Sequence, residues 1–359
     1  MAIITGFPGN NSLLQGTSLA DEIYGNGLGN ISGVAGNDRI FGLAGDDLIT
    51  GDGKNILASG RGGNDVIQGG DGDDIIYGDA YNPATDNVGT LFGIGGNDTL
   101  YQNAGTGTLV GDAYAMQSGS RGGNDQLYGD GLLIGDSYFY MEGGVGGNDL
   151  LSARSATSGS ILAGDTYYSM RGGSVGGRDT LLGSSDVDTM AGDADDNLVD
   201  AARGGNDRIN GYGGSDVISG DAYDAMSDIA TGGNDVLRGG SGDDFLYGDA
   251  QFLNDFAEGG NDKLYGGSGN DTIWGDGVLN DDATGGADKF FFSGSFGDDR
   301  IEDFRQEDGD RIVLQGLTQL DVQLSIVGSD TVLTTLGDDS ITLVGFTGGL
   351  TVGTDIVFA

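Results

Sequence analysis

Apolar and polar residues alternate along this chain within a unit that recurs about every 27 residues. Each unit opens with Gly-Gly-Asn-Asp and a three-residue run whose central residue is usually Leu or Ile. A short Gly/Asp turn and a second such run follow, and the second run ends in Gly-Asp. The alternation predicts short strands with one buried face. Strands this short are stable only when successive units stack, so the period predicts a repetitive solenoid.

The last Asp of each Gly-Gly-Asn-Asp motif marks one coil. The clear copies and close variants are Asp65, Asp98, Asp125, Asp149, Asp179, Asp207, Asp235 and Asp262. Each coil has two dissimilar edges. The short edge is a six-residue turn such as residues 69–74. The long edge runs from Gly-Asp to the next motif and carries about eight to ten extra residues. The sequence leaves open whether the long edge adds a third strand.

The composition indicates that the folded state of this chain needs bound cations. The net charge is -41 over 359 residues, with 75 Gly and neither His nor Cys. This charge and glycine content favour disorder, whereas the periodic Leu, Ile and Val provide an apolar face. A folded state that binds cations reconciles the two observations. Asp-rich turns supply hard oxygen donors, which suit calcium better than zinc or copper.

The same composition excludes several functions. Without His or Cys there is no Ser-His-Asp triad, Cys-His pair or HExxH zinc site. The one GxSxG match, residues 172–176, lies in a repeat loop without a base and is a chance match. We predict no catalytic residues and no enzymatic activity. A polyanion would repel nucleic acid. No segment reads as membrane-spanning, and the N-terminus reads as a degenerate repeat, not a signal peptide.

The repeated Asp residues are the candidate metal ligands. Stacked carboxylates repel one another in a dry turn, and a bound Ca²⁺ reverses that interaction, so we expect metal binding and folding to be one process. The pattern on the long edge holds in coil after coil. The predicted ligands there are Asp38, Asp52, Asp65, Asp79, Asp98, Asp112, Asp125, Asp136, Asp149, Asp165, Asp179, Asp193, Asp207, Asp221, Asp235, Asp249, Asp262, Asp276 and Asp288.

The short edge loses its Asp pattern in the middle of the chain. It reads QNAGTG from Gln102, GDG from Gly129 and ARSATSGS from Ala153. None of these segments supplies a full ligand set. We therefore predict short-edge calcium only toward the two ends, near Asp47, Asp74, Asp216, Asp244 and Asp271.

Three segments match the nonapeptide GGxGxDxUx, where U is a large apolar residue: residues 69–77, 239–247 and 266–274. In this respect the chain resembles the RTX (repeats-in-toxin) family over essentially its whole length. The resemblance implies several calcium ions between adjacent turns, held by Asp carboxylates and backbone carbonyls. It also implies export by type I secretion machinery from a Gram-negative-type bacterium. The expected fold is all-β: a right-handed parallel β-roll or β-helix solenoid of about ten coils with a C-terminal β-rich cap.

The pattern changes after Ala287, so we predict RTX repeats over 1–286 and a capping and secretion module over 287–359. Asp299, Asp303 and Asp310 are candidate ligands for a last calcium, the alternative being solvated turn residues. Alternating runs at Val322–Val327, 331–335 and 340–344 predict antiparallel strands. Residues 353–359 resemble an uncleaved type I secretion signal.

The long-edge loops are rich in aromatic residues and methionine. They contain Tyr81, Tyr114, Met116, Tyr138, Phe139, Tyr140, Met141, Tyr167, Tyr168, Met170, Tyr223, Met226 and Phe252. One interpretation is a second apolar layer of stacked rings beside the roll. The other is an exposed binding or assembly surface. The two interpretations are compatible.

These observations favour a secreted, extracellular or surface-associated structural protein that folds on calcium outside the cell and self-assembles into filaments or a layer. An adhesin that binds cell-surface glycans through the aromatic loops is the alternative. A polysaccharide-acting enzyme ranks below both. Ice binding calls for an outward row of Thr, whereas the residue before Asn-Asp is Gly in nearly every clean coil.

Overall fold

The computed structural model describes residues 2–81 and 89–359. Within these ranges the chain is all-β, with one short 3-10 helix at Gln319–Asp321. Three sheets run along the solenoid, and a typical coil contributes one strand to each. The question of two or three strands per coil is thus answered: the long edge carries a third short strand. Across the part of the chain that is described, no helix has the length and apolar character needed to cross a bilayer.

Sheet 1 consists of the strands that follow the Gly-Gly-Asn-Asp motif, and all its neighbours pair in parallel. Residues at equivalent repeat positions are in register, so Ile67 lies beside Leu100 and Leu100 beside Leu127. The strands are Leu13–Gln15, Arg39–Ala44, Val66–Asp71, Thr99–Ala104, Gln126–Tyr128, Leu150–Ser152, Thr180–Leu182, Arg208–Gly213, Val236–Ser241, Lys263–Ser268, Lys289–Ser293, Arg311–Gln315 and Ile356–Phe358.

Sheet 2 follows the short edge and is parallel through most of its width. Its strands, in spatial order, are Ile3–Thr5, Glu22–Tyr24, Leu48–Thr50, Ile75–Tyr77, Gly107–Val110, Gly131–Ile134, Ile161–Ala163, Thr189–Ala191, Val217–Ser219, Phe245–Tyr247, Thr272–Trp274, Asp298–Ile301, Ser340–Leu343, Asp330–Thr335 and Val322–Val327.

Sheet 3 lies within the long edge, and its described strands are also parallel. They are Asn30–Ile31, Asn55–Ile56, Thr90–Leu91, Ala113–Met116, Ser137–Glu142, Ser169–Arg171, Asn197–Leu198, Ala222–Met226, Ala250–Leu253 and Val278–Leu279.

The interior is a set of apolar columns parallel to the solenoid axis. The central residues of sheets 1 and 2, such as Ile67, Leu100 and Leu109, are fully buried in one continuous core. A second column under sheet 3 contains Met116 and Met141. Each buried Leu, Ile or Met contributes about 1.5–3 kcal/mol relative to exposure, which offsets the ordering of strands too short to persist alone.

Stacking continues past residue 286. Lys289–Ser293, Arg311–Gln315 and Ile356–Phe358 extend sheet 1 in parallel. As predicted, the strands between residues 322 and 344 are antiparallel to one another. Ser340–Leu343 also pairs in parallel with Asp298–Ile301, which joins the antiparallel strands to the coils. The boundary between residues 286 and 287 remains a prediction.

Candidate metal centre

The Asp that ends each Gly-Gly-Asn-Asp motif, here called the motif Asp, bonds to the neighbouring coil. The backbone N–H of Asp65 donates to Oδ1 of Asp98 at 2.7 Å, and that of Asp98 donates to Oδ1 of Asp125 at 2.6 Å. The second oxygen, Oδ2, is buried and has no hydrogen-bond partner among the described residues. This holds for Asp65, Asp98, Asp125, Asp149, Asp179, Asp207, Asp235, Asp262 and Asp288. A buried, unpaired carboxylate oxygen is costly, so this row calls for a cation.

The Asp of the Gly-Asp pair after each sheet 2 strand, here called the loop Asp, closes the long edge. Gly63 N–H donates to Asp52 Oδ2 at 2.8 Å, and Gly96 N–H donates to Asp79 Oδ2 at 2.8 Å. These bonds hold the start of the long-edge loop against its end. In the described ranges, four loop Asp residues also keep one buried oxygen without a partner: Asp79, Asp136, Asp221 and Asp249.

Motif and loop Asp residues converge between coils. Carboxylate oxygens of Asp38, Asp52 and Asp65 lie within 4.8 Å of one another, and so do those of Asp112, Asp125 and Asp136. All six side chains are buried. Oxygens this close can share one Ca²⁺, whose Ca–O distances are about 2.3–2.6 Å. The donor set is all oxygen, which fits calcium and does not fit the nitrogen and sulfur preference of zinc.

The electrostatics of the Asp rows also favour a cation. Burial, with the neighbouring carboxylates Asp79 and Asp65 adding to it, raises the pKa of Asp98 well above its usual range. Burial likewise raises the pKa of Asp216 and of Asp271 on the short edge to about 7. Burial and mutual repulsion disfavour the ionised form of these carboxyl groups, and a cation between them would supply the counter-charge.

The short edge repeats this bonding scheme toward its ends. Asp47 N–H donates to Asp74 Oδ1 at 2.9 Å, and Asp244 N–H donates to Asp271 Oδ1 at 2.9 Å. Oδ2 is buried without a partner, within the described chain, in Asp47, Asp216, Asp244, Asp271 and Asp299. In the middle coils the equivalent residues are Gly107, Gly131 and Ser160. The short-edge carboxylates thus lie where the sequence predicts them, while the ion positions remain a prediction.

Comparison with known proteins agrees with this geometry. The family model for the RTX calcium-binding nonapeptide repeat (4 copies) matches residues 15–55, 57–80, 175–205, 201–222, 229–251 and 256–277. These segments are RTX calcium-binding repeats. RTX nonapeptide repeats bind calcium, and the buried Asp clusters can hold the ions. No curated protein matches the sequence.

Among solved structures, the crystal structure of extracellular lipase LipA from Serratia marcescens is similar at 16% identity and a TM-score of 0.21. The match covers 66% of this chain and 45% of the lipase chain, so this chain spans less than half of the lipase. These values support no inference about activity.

Two further Asp residues belong to the short-edge row and were not predicted from the sequence. Asp188 accepts from Ser160 N–H at 2.7 Å and from Ser184 N–H at 2.6 Å. Asp21 accepts from Thr17 N–H at 2.7 Å and from Ala2 N–H at 2.7 Å. Both lie on the short-edge row, but N–H groups occupy both of their oxygens. The sequence spacing could have identified them, because each Asp comes five positions after a glycine, as Asp74 does after Gly69.

The three C-terminal Asp residues do not converge on one ion. Asp299 belongs to the short edge, where its Oδ1 accepts from Asp271 N–H at 2.8 Å. Asp303 accepts from Gly275 N–H at 2.8 Å, beyond the intervening strand Thr272–Trp274. Asp310 accepts from Asp288 N–H at 3.0 Å and from Arg305 N–H at 2.8 Å, on the long edge. A single last calcium held by all three is therefore inconsistent with the RTX roll geometry.

The aromatic residues of the long edge form a stacked row beside the roll, as the first interpretation predicts. Ring centroids are 4.5 Å apart for Tyr77 and Tyr81, and 5.5 Å apart for Tyr114 and Tyr138. The outer rings remain accessible, since Phe139 is 40% and Tyr168 39% exposed. The row therefore packs against the RTX coils and still offers an aromatic surface.

The second glycine of each motif is required by close contact between coils, and Gly96→Ala tests this. A Cβ at Gly96 would lie 1.5 Å from the backbone oxygen of Gly63. Relieving that clash separates the coils, and we expect a loss of about 3 kcal/mol in the free energy of unfolding. Thermal unfolding in calcium measures it. In the control Gly33→Ala no atom lies within 4 Å of the added Cβ, so the change should be within about 0.5 kcal/mol. Equal effects would contradict the argument.

Proposed function

We propose that this RTX protein is a secreted structural component that folds on calcium outside the cell and has no enzymatic activity. One observation carries the proposal: buried carboxylates without partners recur in the described coils from Asp47 to Asp299. The ion sites thus belong to the architecture itself. The described chain consists of coils and the strands that continue them, and its apolar columns depend on the coils being held together.

The proposed ligands are the motif and loop Asp residues of the long edge, together with the short-edge Asp residues near both ends. On the long edge, two clusters are the proposed ion sites: Asp38, Asp52 and Asp65, and Asp112, Asp125 and Asp136. Calcium neutralises the row, releases the protons of carboxylates with raised pKa, and ties each coil to the next.

Calcium-dependent folding suits a protein that leaves the cell before it folds. Cytosolic calcium is low, whereas extracellular calcium is roughly millimolar, the range in which weak extracellular sites fill. Residues 287–359 are proposed to cap the roll and to carry the type I secretion signal of a Gram-negative-type bacterium. Ile356–Phe358 pairs with Arg311–Gln315 as the last strand of sheet 1. Asp355 and Ile356 of this segment are buried in the fold, which fits recognition of the signal before folding.

The proposed structural role includes head-to-tail association. At one end of the described roll, Leu13 is 75% exposed on the first strand of sheet 1. At the other end, Ile326 is 64% exposed on the outermost antiparallel strand of sheet 2. Exposed apolar side chains on strand edges are sites of strand addition, and a head-to-tail contact generates an open polymer.

Electron microscopy tests this role. Purified protein is expected to form filaments or sheets in roughly millimolar calcium. At the same protein concentration in EGTA it should form none. Leu13→Ser and Ile326→Ser should abolish the assemblies, because each removes apolar area at a strand edge. Val187→Ser is the control, since Val187 is 59% exposed but lies in the middle of the roll. Isolated rods in calcium, or equal losses in all three variants, would contradict self-assembly and make glycan screening the next experiment.

A second candidate function is glycan binding, and one cavity favours it. A cavity of about 360 Å³ is lined by Tyr167, Tyr168, Asp195, Asp196, Tyr223 and Asp224. Burial raises the pKa of Asp195 to about 7, and one of its oxygens is buried without a partner among the described residues. Aromatic faces beside convergent polar groups are typical of small-molecule sites.

A further inference from the structure

The first coil carries an amide where later coils carry a carboxylate. Asn26 stands at the loop Asp position. Its Nδ2 donates to Asp52 Oδ1 at 2.6 Å and to Asp38 Oδ2 at 3.0 Å. Its Oδ1 accepts from Gly9 N–H at 2.8 Å and from Gly36 N–H at 3.2 Å. Because backbone N–H groups only donate, these two bonds fix the amide with its NH₂ group facing the carboxylates.

Asn26, Asp38 and Asp52 occupy the same three repeat positions as Asp112, Asp125 and Asp136. The latter trio brings its oxygens within 4.8 Å and can hold an ion. In the first coil, the partial positive charge on the amide hydrogens of Asn26 faces the carboxylates of Asp38 and Asp52, where an ion would otherwise lie. On the side that faces Asn26, Asp38 Oδ2 and Asp52 Oδ1 accept hydrogen bonds from this amide in place of a contact to an ion.

The short edge has a second amide at the point where its carboxylate row stops. Gln102 aligns with Gly69 of the preceding coil. Its Nε2 donates to Gly72 O at 2.7 Å, to Ala104 O at 3.3 Å and to Asp74 Oδ2 at 3.4 Å. Two backbone carbonyls and an Asp carboxylate from adjacent turns form an oxygen set that suits calcium.

The Gln102 side chain also excludes a carboxylate from its own coil. Gly107 aligns with Asp74 of the preceding coil, and a Cβ at Gly107 would meet Gln102 Oε1 and the backbone oxygen of Asp74. With Gln102 in this conformation, a side chain at position 107 would clash with it. The absence of a side chain at Gly107 leaves the space that the Gln102 amide occupies.

We propose that the side-chain amides of Asn26 and Gln102 take the place of calcium ions and set where the rows end. Asn26 closes the N-terminal end of the long-edge row, and Gln102 closes the N-terminal segment of the short-edge row. A primary amide offers two N–H donors without a net charge. It satisfies the last carboxylates at any calcium concentration. The proposal rests on the ligand rows of the proposed function.

The test uses isosteric variants that replace the amide nitrogen with oxygen. Asn26→Asp and Gln102→Glu each replace the amide donor by a carboxylate oxygen, so that only oxygens face one another at each position. Each is expected to bind one additional calcium ion per chain, and the double variant two. Asn64→Asp is the matched control, because it adds the same charge at an exposed asparagine of the motif and should add none. Bound calcium per chain is measured by elemental mass spectrometry after gel filtration in buffered calcium.

Anomalous difference maps give an independent reading. The wild-type protein should have no calcium peak in contact with Asn26 or Gln102, and each variant should gain one there. A wild-type peak at either amide overturns the proposal. So does an unchanged calcium count in both variants, or failure of the variants to fold in calcium, because the added ion is expected to stabilise them. A wild-type protein without bound calcium would instead contradict the proposed function.

Discussion

Removal of calcium is expected to convert the folded roll into a disordered chain. The net charge is -41, and the carboxylates of the long-edge row are buried within a few ångströms of one another. Without ions, each coil boundary must either bury unpaired charge or bind protons, and both are unfavourable at pH 7. A site filled at one hundred times its dissociation constant contributes about 2.7 kcal/mol. A few such sites equal the whole stability of an ordinary domain, about 5–15 kcal/mol.

Far-UV circular dichroism during a calcium titration measures this effect. The β signal should be absent in EGTA and rise cooperatively, because each ion is shared by neighbouring coils. Magnesium is the control cation. It prefers a smaller octahedral shell and retains its waters, so it should restore little structure at equal concentration. A β signal that excess EGTA leaves intact would refute calcium-coupled folding.

The second large effect is an opposite dependence on pH with and without calcium. In the calcium-free fold, burial raises the pKa of Asp216 and Asp271 to about 7 and that of Asp74 to about 6, from a usual 3.8. A carboxyl group whose pKa is raised by folding stabilises the fold while it is protonated. That contribution is complete below about pH 4 and is lost as the pH rises through 6–7. In EGTA, the chain should therefore gain β structure on acidification.

Calcium reverses the direction of this pH dependence, because the Asp ligands must be ionised to bind the ion. With calcium, stability should be greatest near neutral pH and fall as the carboxylates are protonated. Circular dichroism recorded across this pH range in EGTA and in calcium gives two curves that are expected to cross. Curves that run parallel would mean that the rows do not hold the ions.

Much of the fold could be predicted because the repeat itself encodes it. The period fixes which residues stack, so the alignment of Ile67 with Leu100 follows directly from the motif positions. The third strand could not be predicted in the same way. Asn55–Ile56 has only two residues, which is too short for alternation to be recognised. Its stability comes from the coils on either side.

The candidate site was predicted where the repeats are regular and missed where they deviate. Asp188 sits in an irregular turn, and Asn26 looks like a lost ligand until its bonds to Asp38 and Asp52 are known. After Ala287 the period disappears, so the sequence could not assign Asp299 to one edge and Asp303 to the other. Those assignments depend on which strands become neighbours.

The hydrogen bonds between motif Asp residues make the two ends of the roll different. Each coil donates an N–H to the carboxylate of the coil that follows it. Asp310 closes one end of this series with both oxygens occupied, and at the other end Ser12 N–H donates to Asp38 Oδ1. The described coils between them repeat this bond between motif Asp residues. Duplication or loss of one whole unit therefore changes the rod length by about 4.8 Å and leaves both ends intact. The length of the rod therefore follows from the number of repeat units in the sequence.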